Sequence, residues 1–266
     1  MVYVVRFLSD MTPGALLSAL DAAIPAASGL TAVRLWYSGL YRRYPVLFAY
    51  MTFGAIDGLV PEVFDARRPA YFWVWICTQP MVWLLNILVV RELCRVVLEK
   101  HPGLVTIGRW VMYAGVVLAA FLSFLSLLPH IDSTMPARSR ILEYWVAAGR
   151  GISFSLAIFL LLMLFAVSRY PVRLSRNVVL NAVLFTYCFL SDSLTAILST
   201  IFDRRMNPWV SVAVSAAEVA CLLLWFFRLT PEGEQARFDW IHFAPEYEKR
   251  VLSRLDALSS IVTGGG

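Results

Sequence analysis

Seven apolar stretches, each of about 20 residues or more, constrain this chain more tightly than any other feature. They are Gly14–Trp36, Pro45–Phe64, Ala70–Val90, Trp110–Pro129, Ile141–Val167, Asn177–Ile201 and Pro208–Phe227. A helix rising about 1.5 Å per residue needs roughly 20 residues to cross a hydrocarbon core of about 30 Å. Inside such a core every backbone amide must find its partner within the protein, so helices and closed barrels are the structures that span it. Stretches this long select helices. Composition agrees: 59% of the 266 residues are apolar and 15% are charged, too apolar a balance for a soluble domain of this size. The sequence therefore predicts an all-α polytopic bundle of seven transmembrane helices over residues 1–230, with a tail over residues 231–266. Asp21 and Pro25 interrupt the first span. The opening "MVYVVRFLSDMTPG" lacks the basic start and cleavage site of a removable signal.

Loop charge orients the spans. Fifteen of the 23 Lys and Arg residues fall on one side, among them Arg42, Arg43, Arg91, Arg95, Arg109, Arg173 and Arg176. Seven fall on the other, Arg67, Arg68, Arg138 and Arg140 among them, and Arg150 lies within a span. The side richer in Lys and Arg faces the cytoplasm. This predicts an N-terminus outside and a C-terminus, with its tail, in the cytoplasm.

On the cytoplasmic side a basic–aromatic–proline element occurs three times, in "LYRRYPVLF" (Leu40–Phe48), "EKHPGL" (Glu99–Leu104) and "SRYPVRL" (Ser168–Leu174). A scaffold role suffices for it. The bases meet anionic headgroups, Tyr44 and Tyr170 suit the interface, and proline fits a first helical turn, where its missing N–H has no partner to lose. A docking role for these loops is the alternative.

"RYP" also begins a wider echo. After it come the outer loops "FDARRP" (Phe64–Pro69) and "FDRRMNP" (Phe202–Pro208), with Asp57 or Asp192 in the helix between. Gln79 then follows Asp65 by 14 residues, and Glu218 follows Asp203 by 15. A 3+1+3 plan of parallel repeats, as in the SWEET sugar transporters, is one reading. The other is a coincidence of interfacial chemistry, since Tyr44 to Phe64 is 20 residues and Tyr170 to Phe202 is 32.

The stretches "LYRRYP", "HPGLVTIGRW" (His101–Trp110) and "SRYPVRLSRN" (Ser168–Asn177) resemble a group of uncharacterised bacterial seven-helix membrane proteins. The resemblance implies a seven-helix fold in a bacterial inner (plasma) membrane and supplies no function.

The chemical inventory is narrow. His101, His130 and His242 lie outside the spans, and neither H-E-x-x-H nor G-x-S-x-G occurs. Lys100 and Lys249 also lie outside, which leaves a retinal Schiff base no attachment point. Cys77, Cys94, Cys188 and Cys221 have no metal spacing and read as small buried apolar residues. Asp57 and Asp192 lack the context of an intramembrane aspartyl protease. The expectation is a non-enzyme without cofactor or metal, with the lipid bilayer as partner and no nucleic acid.

Polar residues inside the spans say more, because an ionised group at mid-bilayer costs roughly 2.5–3.5 kcal/mol even on the mildest scale. At about 1.5 Å per residue, Asp21 and Asp57 lie roughly 10 Å deep, and Gln79, Arg150, Asp192 and Glu218 roughly 14–15 Å. Six spans thus contribute one polar layer in the outer half, with four acids and one base. One reading is structural: Arg150 clamps Asp192, and the remaining groups serve as interhelical hydrogen-bond partners. "GAIDG" (Gly54–Gly58), with its small-xxx-small spacing, belongs to packing of this kind.

The other reading is functional, with Asp57, Gln79, Arg150, Asp192 and Glu218 lining a site for a small cationic or protonatable solute in a transporter. The alternative function is a non-enzymatic receptor-like sensor or partner-organising module. Its output would be the tail, where "EYEKRVLSRLDALSSIV" (Glu246–Val262) reads as an amphipathic helix. That helix lies on the membrane or serves a protein partner or self-association.

Overall fold

The computed structural model describes residues 12–60, 69–99, 102–127, 137–169, 174–201, 208–235 and 237–238. Among these the α-helices are α1 (Pro13–Tyr37), α2 (Pro45–Asp57), α3 (Pro69–Val97), α4 (Pro102–Leu127), α5 (Ala137–Arg169), α6 (Arg176–Ile201), α7 (Pro208–Arg228) and α8 (Pro231–Gln235). A 3-10 turn, Leu40–Arg42, joins α1 to α2, and two short strands, β1 (Leu174–Ser175) and β2 (Arg237–Phe238), pair antiparallel. Helices α1 to α7 fall on the seven apolar stretches in order. Five are long and apolar enough to cross a membrane, within α1, α3, α5, α6 and α7. The other two supply shorter apolar segments, Pro45–Asp57 and Gly108–Leu122.

Proline sets most of the helix starts. Helices α1, α2, α3, α4, α7 and α8 each begin on one, where the fixed φ suits the first turn and the absent N–H leaves no bond unmade. Pro45 and Pro102 of the basic–aromatic–proline elements behave this way. The third element does not open its helix: Pro171 lies outside the described residues, and α6 starts later, at Arg176. Ser175 caps that start, its Oγ accepting from Val178 N at 3.4 Å.

The turn between α1 and α2 is closely packed. At its start Gly39 adopts φ +73° after α1, a left-handed position that glycine takes without Cβ penalty. Tyr44 is 0% exposed and packs inside the turn. Tyr41 takes the outer place, stacked on Trp36 at 4.8 Å and accepting a hydrogen bond from Arg42 Nε at 3.1 Å.

The chain divides into two compact units, one of Met1–Val82 with Leu194–Leu229 and one of Trp83–Ser193 with Thr230–Gly266. In the first, α1 packs against both α2 and α7. The "GAIDG" stretch makes the α1–α2 approach close, as its spacing implies: a Cβ on Gly58 would lie 2.6 Å from Pro25 Cβ, and one on Gly54 would lie 3.7 Å from Ser28 Oγ. Leu35, Leu47, Met51 and Trp225 are buried in this unit. In the second, α4 packs against α5, and Leu156, Leu160, Phe185 and Phe189 are buried. There Gly149 lies against the Trp83 indole, which meets Trp145 at 4.7 Å between ring centroids.

The exterior is as telling as the core. Trp36, Trp110, Val117, Phe121, Leu162, Phe165 and Phe227 are all exposed, a display of large apolar side chains that water disfavours and lipid tails accept. Cys94 and Cys221 are buried as expected, whereas Cys77 is exposed on the same apolar exterior.

Candidate functional site

The polar layer divides between the two units. Asp21, Asp57, Gln79 and Glu218 belong to the first, and Arg150 and Asp192 to the second. Within the first unit the structure brings Asp21 of α1 and Glu218 of α7 within electrostatic reach of one another. Both residues keep part of their surface exposed within the unit. Asp57 and Gln79 are half-buried. In the second unit Arg150 is half-buried on α5 and Asp192 exposed on α6, and each is engaged by a neighbour.

The α1–α7 seam explains how two acids come to face each other. On α1, Pro25 and Ser28 face Gly58 and Gly54 of α2, whereas Thr31 and Arg34 meet α7. On α7, Cys221, Leu222 and Trp225 follow Glu218 at helical spacing. Further along, the Thr31 hydroxyl donates to Ala27 O at 2.8 Å and lies 3.4 Å from Leu222 O on α7. At the far end Arg34 sits over the Phe226 ring, 5.0 Å from its centroid. Asp21 with Glu218, Thr31 with Leu222 and Arg34 with Phe226 are in ascending order on both helices, so α1 and α7 run parallel.

Pro25 adds a third oxygen. It supplies no N–H, so the Asp21 carbonyl four residues earlier has no helical donor, and Gly58 presses on the same proline from α2. Arg34, the base that contacts Phe226, lies about 20 Å further along α1 from Asp21. Asp57 is the last residue of α2 rather than a mid-helix acid. A carboxylate there opposes the helix dipole.

The convergence of Asp21 with Glu218 was partly legible, because both belong to the layer. Its cause was not: the parallel contact of the first and seventh spans depends on pairing far apart in sequence. Also unforeseen is how the chain after α7 packs onto the start of α6. Asn177, 0% exposed, donates through Nδ2 to Thr230 O at 2.8 Å, and the Ser175 hydroxyl donates to Glu234 at 3.3 Å. The helix expected over Glu246–Val262 and the loops "FDARRP" and "FDRRMNP" lie outside the described residues, apart from their terminal prolines. Comparison with known protein families, with curated proteins and with solved structures gave no match.

Proposed function

We propose that the chain is a seven-span membrane transporter of a small cationic or protonatable solute, with Asp21 and Glu218 as its central acid pair. The facing of these two acids across the α1–α7 seam is the observation that carries the reading. Two carboxylates within electrostatic reach of one another are costly to hold charged together outside bulk water, and a proton or a cation between them removes the repulsion. The Asp21 carbonyl released by Pro25 adds a neutral oxygen of the kind that coordinates cations where a membrane helix is interrupted. Asp57 and Gln79 extend the polar set in the same unit, and Arg150 with Asp192 forms a structural clamp that keeps one charge of each sign from standing alone.

Parallel packing of α1 and α7 supports the span count. An odd number of crossings must separate the two, so α2 and α4 cross together or not at all. Because Gly58 faces Pro25, twelve residues back from the end of α1, α2 rises about 18 Å alongside it. This favours seven spans, with the N-terminus outside by the Lys and Arg distribution. The transporter reading rests on the acid pair and not on a repeat. A sensor with the tail as output is favoured by one observation, the hydrogen bonding of Thr230 and Glu234 to the start of α6.

Binding tests the reading. Methylammonium chloride, titrated at constant ionic strength against N-methylglucamine chloride, should raise the thermal unfolding temperature of the purified protein, since a ligand of the folded state stabilises it by mass action. Asp21→Asn and Glu218→Gln should fold and lose the shift. An equal shift in the variants would remove the acid pair from the site.

A further inference from the structure

A cavity lies between α3 and α4, and the acid pair plays no part in it. Its volume is about 80 Å³, and Arg91, Cys94, Arg95, Arg109 and Met112 line it. Positions 91, 94 and 95 share one face of α3, and 109 and 112 share one face of α4. Cys94 and Met112 are buried and form the apolar floor. Arg91 and Arg95 are exposed and Arg109 is half-buried, so the guanidinium-bearing residues form the rim. Gly108 sets the depth of the floor, because a Cβ there would lie 3.2 Å from Cys94 Sγ.

The rule that gathers arginines at one membrane face accounts for bases near a turn. It does not account for three that converge from two helices on one enclosed space. The cavity lining itself holds no carboxylate. The mutual repulsion of the three arginines calls for an anion. The planar, five-donor fork of arginine matches phosphate oxygens, two N–H groups at a time. The space is well above the roughly 10–15 Å³ that admits one water, enough for a compact oxyanion. Trp110 and Val111, beside the rim residue Arg109, are exposed and apolar, a surface along which an acyl chain can lie.

We propose that the Arg91–Arg95–Arg109 cavity binds a phosphate group, with the three guanidiniums donating to its oxygens. The group comes either from the headgroup of an anionic lipid in the adjoining leaflet or from a soluble phosphate. The exposed apolar flank fits the first source, and the test separates the two.

Full-length protein in neutral detergent is offered phosphatidylglycerol, phosphatidylcholine or inorganic phosphate, and retained ligand is counted by native mass spectrometry. Each basic residue near an anionic membrane surface contributes about 1 kcal/mol, so Arg91→Gln or Arg109→Gln alone should weaken retention roughly fivefold and the triple variant about a hundredfold. Arg42→Gln and Arg228→Gln, which remove bases elsewhere on the same side, should change nothing. Selective retention of phosphatidylglycerol in this pattern supports a lipid headgroup, and the same pattern for inorganic phosphate supports a soluble ligand. If both single variants retain both anions as the unaltered protein does, or if the control variants lose as much, the proposal is overturned. The single variants decide the matter should the triple variant fail to fold.

Discussion

Gly58 and Gly233 are the positions where one added carbon does the most damage. A Cβ at Gly58 would lie 2.6 Å from Pro25 Cβ, and one at Gly233 would collide with Oδ1 of the buried Asn177. Neither neighbour can yield easily. Pro25 is rigid, and Asn177 is fixed by its bond to Thr230 O. Gly58→Ala and Gly233→Ala should each cost roughly 1–3 kcal/mol, the range for overpacking, read from thermal unfolding of the purified protein. Gly14, with nothing within 4 Å of its would-be Cβ, is the control. Gly14→Ala should be neutral or stabilising by up to about 1 kcal/mol, since alanine is the better helix former. At this scale the sequence was readable where small residues are spaced for helix contact, as in "GAIDG". It was silent at Gly233, whose partner is 56 residues away.

Helix placement was legible because it depends on local quantities, namely the length of each apolar run and the proline at its start. Pro45 and Pro102 open α2 and α4 as their position in the turns implied, and Asp21 and Pro25 lie within a continuous α1 rather than breaking it. The seam between α1 and α7 was not legible, because nothing local says which helices touch. Thr31 and Leu222 are 191 residues apart in sequence. The parallel pairing can be tested by cross-linking. In a chain whose four cysteines are replaced by serine, Asp21→Cys with Glu218→Cys should join readily through a short bifunctional thiol reagent. Asp21→Cys with Phe227→Cys should not, because the second site is about 14 Å further along α7. Equal yields from the two pairs would contradict the parallel seam, and with it the facing of the acids.

For the whole molecule, composition alone was enough to name the solvent: seven long apolar runs, few charges, and an exterior of exposed Trp, Phe and Leu all fit lipid. The function of the polar residues was less legible, because depth along a span does not specify which side of a helix a residue occupies. Six residues at one depth resolve into two sets in two units, and within the first Asp21 lies within electrostatic reach of Glu218. The account makes this pair the place where a small cation or protonatable solute is held on its way through the membrane. Uptake of labelled methylammonium into vesicles containing the purified protein tests it most directly. The unaltered protein should accumulate the label under an inward gradient, Asp21→Asn and Glu218→Gln should reduce the rate to that of protein-free vesicles, and Glu232→Gln, an exposed acid beyond α7, should retain it. Uptake by Asp21→Asn and Glu218→Gln at the unaltered rate, or no uptake by the unaltered protein, would contradict the account.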